Sequence, residues 1–100
     1  MEKRKPHYDL SIVQSAIRLR GADAFTATAL IGAQAMGLEI AQAIEAVCSM
    51  RRSDFYKSMT TYAASQAWQD VYCPETPAGI ACVKVTLRQD GSIVIQFKEK

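Results

Sequence analysis

The hydrophobic pattern changes period close to residue 52, and this divides the chain into a helical half and a strand half. Upstream, Ser11 followed three positions later by Gln14 has the form of a capping box, and Ile12, Val13, Ala16 and Ile17 continue it as a helical stripe. Gly21 stands where a helix end needs a residue free to take positive φ. A second helix is predicted from Thr26 or Thr28 to Met36, ended by Gly37. A third is predicted from about Glu39 to Met50, apolar at Ile40, Ala43, Ile44 and Val47. The alanine-rich middle favours helix and close packing and shows no chemistry of its own.

Downstream of Ser53 the period is two. Tyr56 to Tyr62 and Trp68 to Tyr72 are rich in aromatic and β-branched residues, as strands are. Pro74 and Pro77 interrupt the chain and Gly79 opens a longer strand, in which Val83, Val85 and Leu87 alternate with polar residues. Ile93, Ile95 and Phe97 alternate in the same way beyond Gln89-Asp90-Gly91. A two-residue turn there would set Val85 against Gln96 and mix core with solvent. A three-residue loop with Gly91 left-handed pairs Leu87 with Ile93, Val85 with Ile95 and Val83 with Phe97, and sets Cys82 opposite Lys98. The expected fold class is α+β: N-terminal helices packed on one face of a mostly antiparallel sheet formed by the C-terminal half. The other face, carrying Cys82, Lys84 and Lys98, is left to bind something.

One hundred residues suffice for a single core, so one domain is expected over 1–100. The net charge of +2 is small, but Lys3-Arg4-Lys5, Arg51-Arg52 and Lys98 with Lys100 are local clusters. Such clusters suit RNA as well as a merely solvated edge. Cys48, Cys73 and Cys82 are widely spaced beside a single histidine, which argues against structural zinc and against a disulfide scaffold. The opening residues lack the apolar core of a signal peptide. No run approaches the roughly 18 apolar residues of a membrane span, so a cytoplasmic protein with no membrane partner is expected. No phosphate loop, Rossmann glycine pattern, H-E-x-x-H or G-x-S-x-G occurs. Composition and periodicity alone stop at a small α+β binding or RNA-contacting domain.

Four segments extend this reading. They are Met1-Glu2-Lys3-Arg4-Lys5-Pro6-His7, the stretch from Ser53 to Tyr62, Trp68-Gln69-Asp70-Val71-Tyr72, and Phe97-Lys98-Glu99-Lys100. In order and spacing they resemble toxins of the MqsR (motility quorum-sensing regulator) family. The resemblance implies a RelE-like fold and a metal-independent, ribosome-independent endoribonuclease that cuts messenger RNA at GCU-type sites and needs no cofactor. It also implies an MqsA-type antitoxin with a zinc-binding domain and a helix-turn-helix domain, through which alone the toxin would reach operator DNA.

RNA cleavage without metal uses the 2′-hydroxyl as nucleophile. The enzyme removes its proton, protonates the leaving 5′-oxygen and stabilises charge on the phosphoryl oxygens. By matched position the resemblance implies Lys57 for phosphate stabilisation and activation of the 2′-hydroxyl, and Gln69 for hydrogen bonds to phosphate or a base edge. Lys98 is implied for charge stabilisation or protonation of the leaving group, and Met59 for packing on a base. This chain departs from the pattern in two places: Cys73 stands where the family has an arginine, and Cys82 where it has a catalytic-site tyrosine. Cys82 thereby enters the candidate site opposite Lys98, and Lys84 and Arg88 on its face are candidates to replace the missing positive charge. His7 joins as an acid or base if the N-terminal segment folds over the sheet, and otherwise serves local structure. The departures also motivate an alternative, a catalytically weakened toxin homologue acting mainly as an antitoxin-binding co-repressor.

Overall fold

A computed structural model describes residues 1–61 and 67–100. The helical half is α1 (Leu10–Arg20), α2 (Ala27–Ala35) and α3 (Ile40–Cys48). The strand half is β2 (Phe55–Thr60), β3 (Trp68–Tyr72), β4 (Glu75–Thr76), β5 (Gly79–Leu87) and β6 (Ile93–Glu99), preceded at the N-terminus by the short β1 (Glu2–Lys3). The expected α+β arrangement is the one observed. Tyr62, at the end of the predicted second strand, lies outside the described residues.

Local chemistry explains most helix ends. Gly21 (φ 57°) donates its N–H to Ile17 and closes α1, and Gly37 (φ 86°) follows the end of α2. Thr26 caps α2 by accepting from the Ala29 N–H, and Glu39 with Gln42 forms a capping box on α3. The start of α1 differs from expectation. Asp9 is its cap and accepts from the Ser11 N–H at 2.9 Å, while Gln14 reaches across to the Met50 carbonyl at 2.8 Å. A carboxylate two residues before Ser11 takes the Ser11 N–H, so Gln14 is released to tie α1 to the residues after α3. Ile12 likewise faces outward, whereas Val13 and Ile17 are buried.

The main sheet runs β1-β2-β3-β5-β6, with every strand pair antiparallel, and β4 pairs with the start of β5. The β5–β6 register is the three-residue-loop register: Leu87↔Ile93, Val85↔Ile95, Val83↔Phe97 and Cys82↔Lys98, with Gly91 at φ 86°. The inner face of the sheet (Tyr72, Val83, Val85, Ile95, Phe97) packs on Val13, Ile17, Ala29, Ala33, Ala43 and Val47 of the helices in one core. No single helix among the described residues is long and apolar enough to cross a membrane.

Two details set up the outer face. The β2 register shifts between Phe55, opposite Tyr72, and Lys57, opposite Val71, so Tyr56 is the extra residue of a bulge. Without it, Phe55 and Lys57 would share a face. With it, Phe55 packs edge-on to Tyr72 inside, at 5.4 Å between ring centroids, and Lys57 points outward. At the other end of the sheet, the Thr26 N–H donates to Ile95 at 3.1 Å, and α2 lies so close to β6 that a Cβ on Gly32 would meet the Phe97 carbonyl oxygen at 2.2 Å. Only glycine at position 32 lets the helix seal that edge.

Candidate active site on the outer face of the sheet

Register places the outward side chains in rows across four strands. The middle row reads Lys57, Val71, Lys84 and Gln96. Next to it on one side lie Met59, Gln69, Thr86 and Val94. On the other side Cys82 and Lys98 face each other, with Cys73 beside Cys82, since Tyr72 pairs with Val83. Lys57, Met59, Gln69, Cys73, Cys82, Lys84 and Lys98 therefore share one face. The floor between the lysines is Val71, only 3 % exposed although it belongs to the outer side. Lys57 and Lys84 flank it in the register.

Neighbouring strands lie about 4.8 Å apart, which divides these groups into two clusters. Lys57, Met59 and Gln69 sit on β2 and β3, and Cys82, Lys84 and Lys98 on β5 and β6. Lys57 and Lys98 are three strand spacings apart, roughly 15 Å between backbones. That span matches a stretch of nucleotide chain held at two points better than one phosphate gripped twice.

Charge at Lys57 is fixed by the N-terminal strand. Its Nζ donates to Glu2 Oε1 at 2.7 Å, the one ion pair among the described residues. The hydrogen bond to Glu2, and then its negative charge, push the Lys57 ammonium above the ordinary lysine range, and the Glu2 carboxyl is held low by the same contact. A raised ammonium favours the cationic form, which suits phosphate stabilisation.

His7 stands at the edge of this face, bordering the recess that Gln69, Thr86 and Gln96 also line. Its ring stacks on Trp68 at 5.2 Å, on the inner-face side of β3. Its Nδ1 lies 2.8 Å from Lys3 Nζ, an ammonium that can only donate, so the imidazole is neutral with its proton on Nε2. Burial, then the charge of Lys3, lowers its proton affinity. The N-terminal segment is held by Asp70, a carboxylate 1 % exposed that accepts from the backbone N–H groups of His7 and Tyr8 at 2.9 Å. This placement fits both roles weighed for His7: it belongs to the anchored N-terminal segment and borders the recess beside Gln69. Arg88 lies at the rim, bordering a recess with Gln69, Thr86 and Gln96.

The helical half contributes more than its composition suggested. A groove of about 520 Å³ runs between α2 and the outer face, lined by Thr28 and Ile31 on one side and Cys82, Lys84, Gln96 and Lys98 on the other. Its size is that of a small-ligand site. Ile31 is 64 % exposed within it. The alanine-rich pattern hid these residues; an apolar side chain on the polar side of a helix was the available signal. Among the described residues no group of three or more histidine, cysteine or acidic side chains is placed to hold a metal ion.

Comparison with known proteins adds an independent finding. The family described as motility quorum-sensing regulator, toxin of MqsA, matches residues 5–99. The curated mRNA interferase toxin MqsR of Escherichia coli (strain K12) is 40 % identical over 100 residues, covering 100 % of both chains.

Proposed function

We propose, from the premise that the chain belongs to the motility quorum-sensing regulator toxin family, that it is the toxin of a toxin–antitoxin pair and cuts messenger RNA on the outer face of its sheet. The observation that carries this reading is the shared face: Lys57, Gln69, Lys84, Cys82 and Lys98 come together there from four strands in consecutive register positions.

The 2′-hydroxyl attacks the adjacent phosphorus, the bond to the 5′-oxygen breaks, and negative charge grows on the non-bridging oxygens. Lys98 and Lys84 stand where a phosphate lying over Cys82 meets two ammonium groups, and donors aimed at developing charge are worth about 10²–10³ in rate. Lys57 holds the chain at its second point as a fixed cation, and Gln69, diagonal to it, donates to phosphate or a base edge. Met59 and Ile31 supply apolar surface for bases. Cys82 occupies the place for proton transfer beside Lys98; a thiol is a weaker hydrogen-bond donor than a phenol but titrates lower, about 8.5 against 10.

Cleavage is independent of metal and ribosome, falls at GCU-type triplets, and is neutralised by an antitoxin of the MqsA type that carries the zinc and DNA-binding functions. Incubating the purified chain with a GCU-containing RNA and EDTA tests this, and cut products are expected. A second reading, an antitoxin-binding protein with weakened cleavage, is favoured by the thiols at positions 73 and 82. Intact RNA at concentrations that bind antitoxin would establish it instead.

A further inference from the structure

We propose that Cys73 and Cys82 are a reversible oxidation site, closing a disulfide between adjacent strands in the middle of the outer face and so switching that face off. The register makes the pair. Tyr72 pairs with Val83, so the next residues along, Cys73 and Cys82, stand directly opposite each other on the same side of the sheet. Their pairing is of the kind without mutual backbone hydrogen bonds. The Cys73 N–H points the other way, to the Asp54 carbonyl at 2.8 Å, whereas the neighbouring Ala81 N–H donates to Pro74 at 3.0 Å. In such positions Cα atoms are about 4.5 Å apart, inside the roughly 4.4–6.8 Å that a disulfide accepts. That spacing lies within the reach of the bond.

Both thiols are free and half-buried, so a small oxidant reaches them. Burial pushes the Cys73 thiol up, and the neighbouring Cys82 pushes it further, as expected of two sulfurs within each other's field. Cys48, the third cysteine, packs against the core on the helix side and has no part in the pair.

The oxidant class is a small aliphatic disulfide. One protein thiolate attacks it, its S–S bond breaks, and one small thiol leaves with the electron pair, giving a mixed disulfide. The second protein thiolate then attacks the protein sulfur, the Cys73–Cys82 bond forms, and the second small thiol leaves. Two electrons pass to the oxidant, and the two protons lost by the protein thiols end on the released thiols. Cys82 Sγ, now bonded to Cys73, can no longer donate or transfer a proton beside Lys98. This consequence rests on the ribonuclease function proposed above; the bond itself does not.

The test equilibrates the full chain with oxidised glutathione, blocks remaining thiols with an alkylating agent, and reads intact mass and peptide map. One alkylated residue, Cys48, and a peptide cross-linked through Cys73 and Cys82 are expected. Three alkylated cysteines, or glutathione adducts on Cys73 and Cys82 with no cross-link, overturn the site. RNA cleavage is expected to fall about a hundredfold on oxidation and to return with dithiothreitol, in the chain and in Cys48→Ala alike. Cys73→Ser, unable to form the bond, should give no cross-linked peptide under oxidised glutathione, and Cys82 should instead hold the glutathione adduct that its missing partner would have released. A cross-linked chain that cuts at the reduced rate overturns the switch. A reduced chain that cuts nothing yet forms the cross-link overturns the ribonuclease reading and leaves the oxidation site standing.

Discussion

The inner and outer faces of the sheet are built by the same strands, residue alternating with residue. On the inner face Tyr72, Val83, Val85, Ile95 and Phe97 are all 2 % exposed or less. On the outer face, long cations and a glutamine surround Val71, and the charged groups remain in solvent. Removing an inner side chain opens a void or strands a polar partner; removing an outer one leaves packing nearly intact. The comparison teaches that stability and chemistry are carried by opposite sides of one strand set, so that the two are separable by substitution.

The largest effect should come where a charge sits on the inner side. Asp70→Ala leaves the backbone N–H groups of His7 and Tyr8 without their acceptor and is expected to lower stability by about 3 kcal/mol, read as a shift of the urea midpoint. On the outer face, Lys98→Ala and Lys57→Ala should each cut RNA cleavage about a hundredfold, equivalent to about 2.7 kcal/mol. Their urea midpoints should move by no more than about 0.5 kcal/mol. A large stability loss in either lysine variant would break the separation of faces.

Two smaller effects sharpen it. Among the described residues the buried Tyr72 hydroxyl has no hydrogen-bond partner, and burial, with Asp70 adding, pushes its ionisation up to about 12. Tyr72→Phe is therefore expected to change stability by less than about 1 kcal/mol, despite lying on the inner face. Spectrophotometric titration should also lose its latest-ionising tyrosine. The smallest effect is a pH dependence. Because the folded state lowers the proton affinity of His7, the unfolded chain binds more protons just below pH 6.5, and acidification through that value removes stability. A loss of a few tenths of a kcal/mol is expected for so exposed a ring, absent in His7→Gln when urea melts at pH 7.5 and 5.5 are compared.

The parts legible in the chain were those fixed by neighbours in sequence. Gly21 and Gly37 mark helix ends because positive φ is a local requirement, and the β5–β6 register follows from one turn and two runs of alternating residues. The face shared by Cys82, Lys84 and Lys98 came with that register. The β2 bulge did not, because Phe55 and Lys57 are two apart and simple alternation puts them together; only the packing of Phe55 on Tyr72 separates them. Strand β1 and its Glu2–Lys57 pair were equally hidden, since they join residues 55 positions apart. Asp70 showed no local sign of its partners in the N-terminal segment.

The closure of β6 by α2 has a consequence for how the molecule can associate. With Gly32 pressed on the Phe97 carbonyl and Thr26 bonded to Ile95, the main sheet, among the described residues, has one open rim, that of β1 and β2. A body with one adhesive rim can join another only rim to rim, and the resulting pair has no rim left. Rim-to-rim pairing of two copies is thus self-terminating: it would give a closed couple with no foothold for an open-ended fibre.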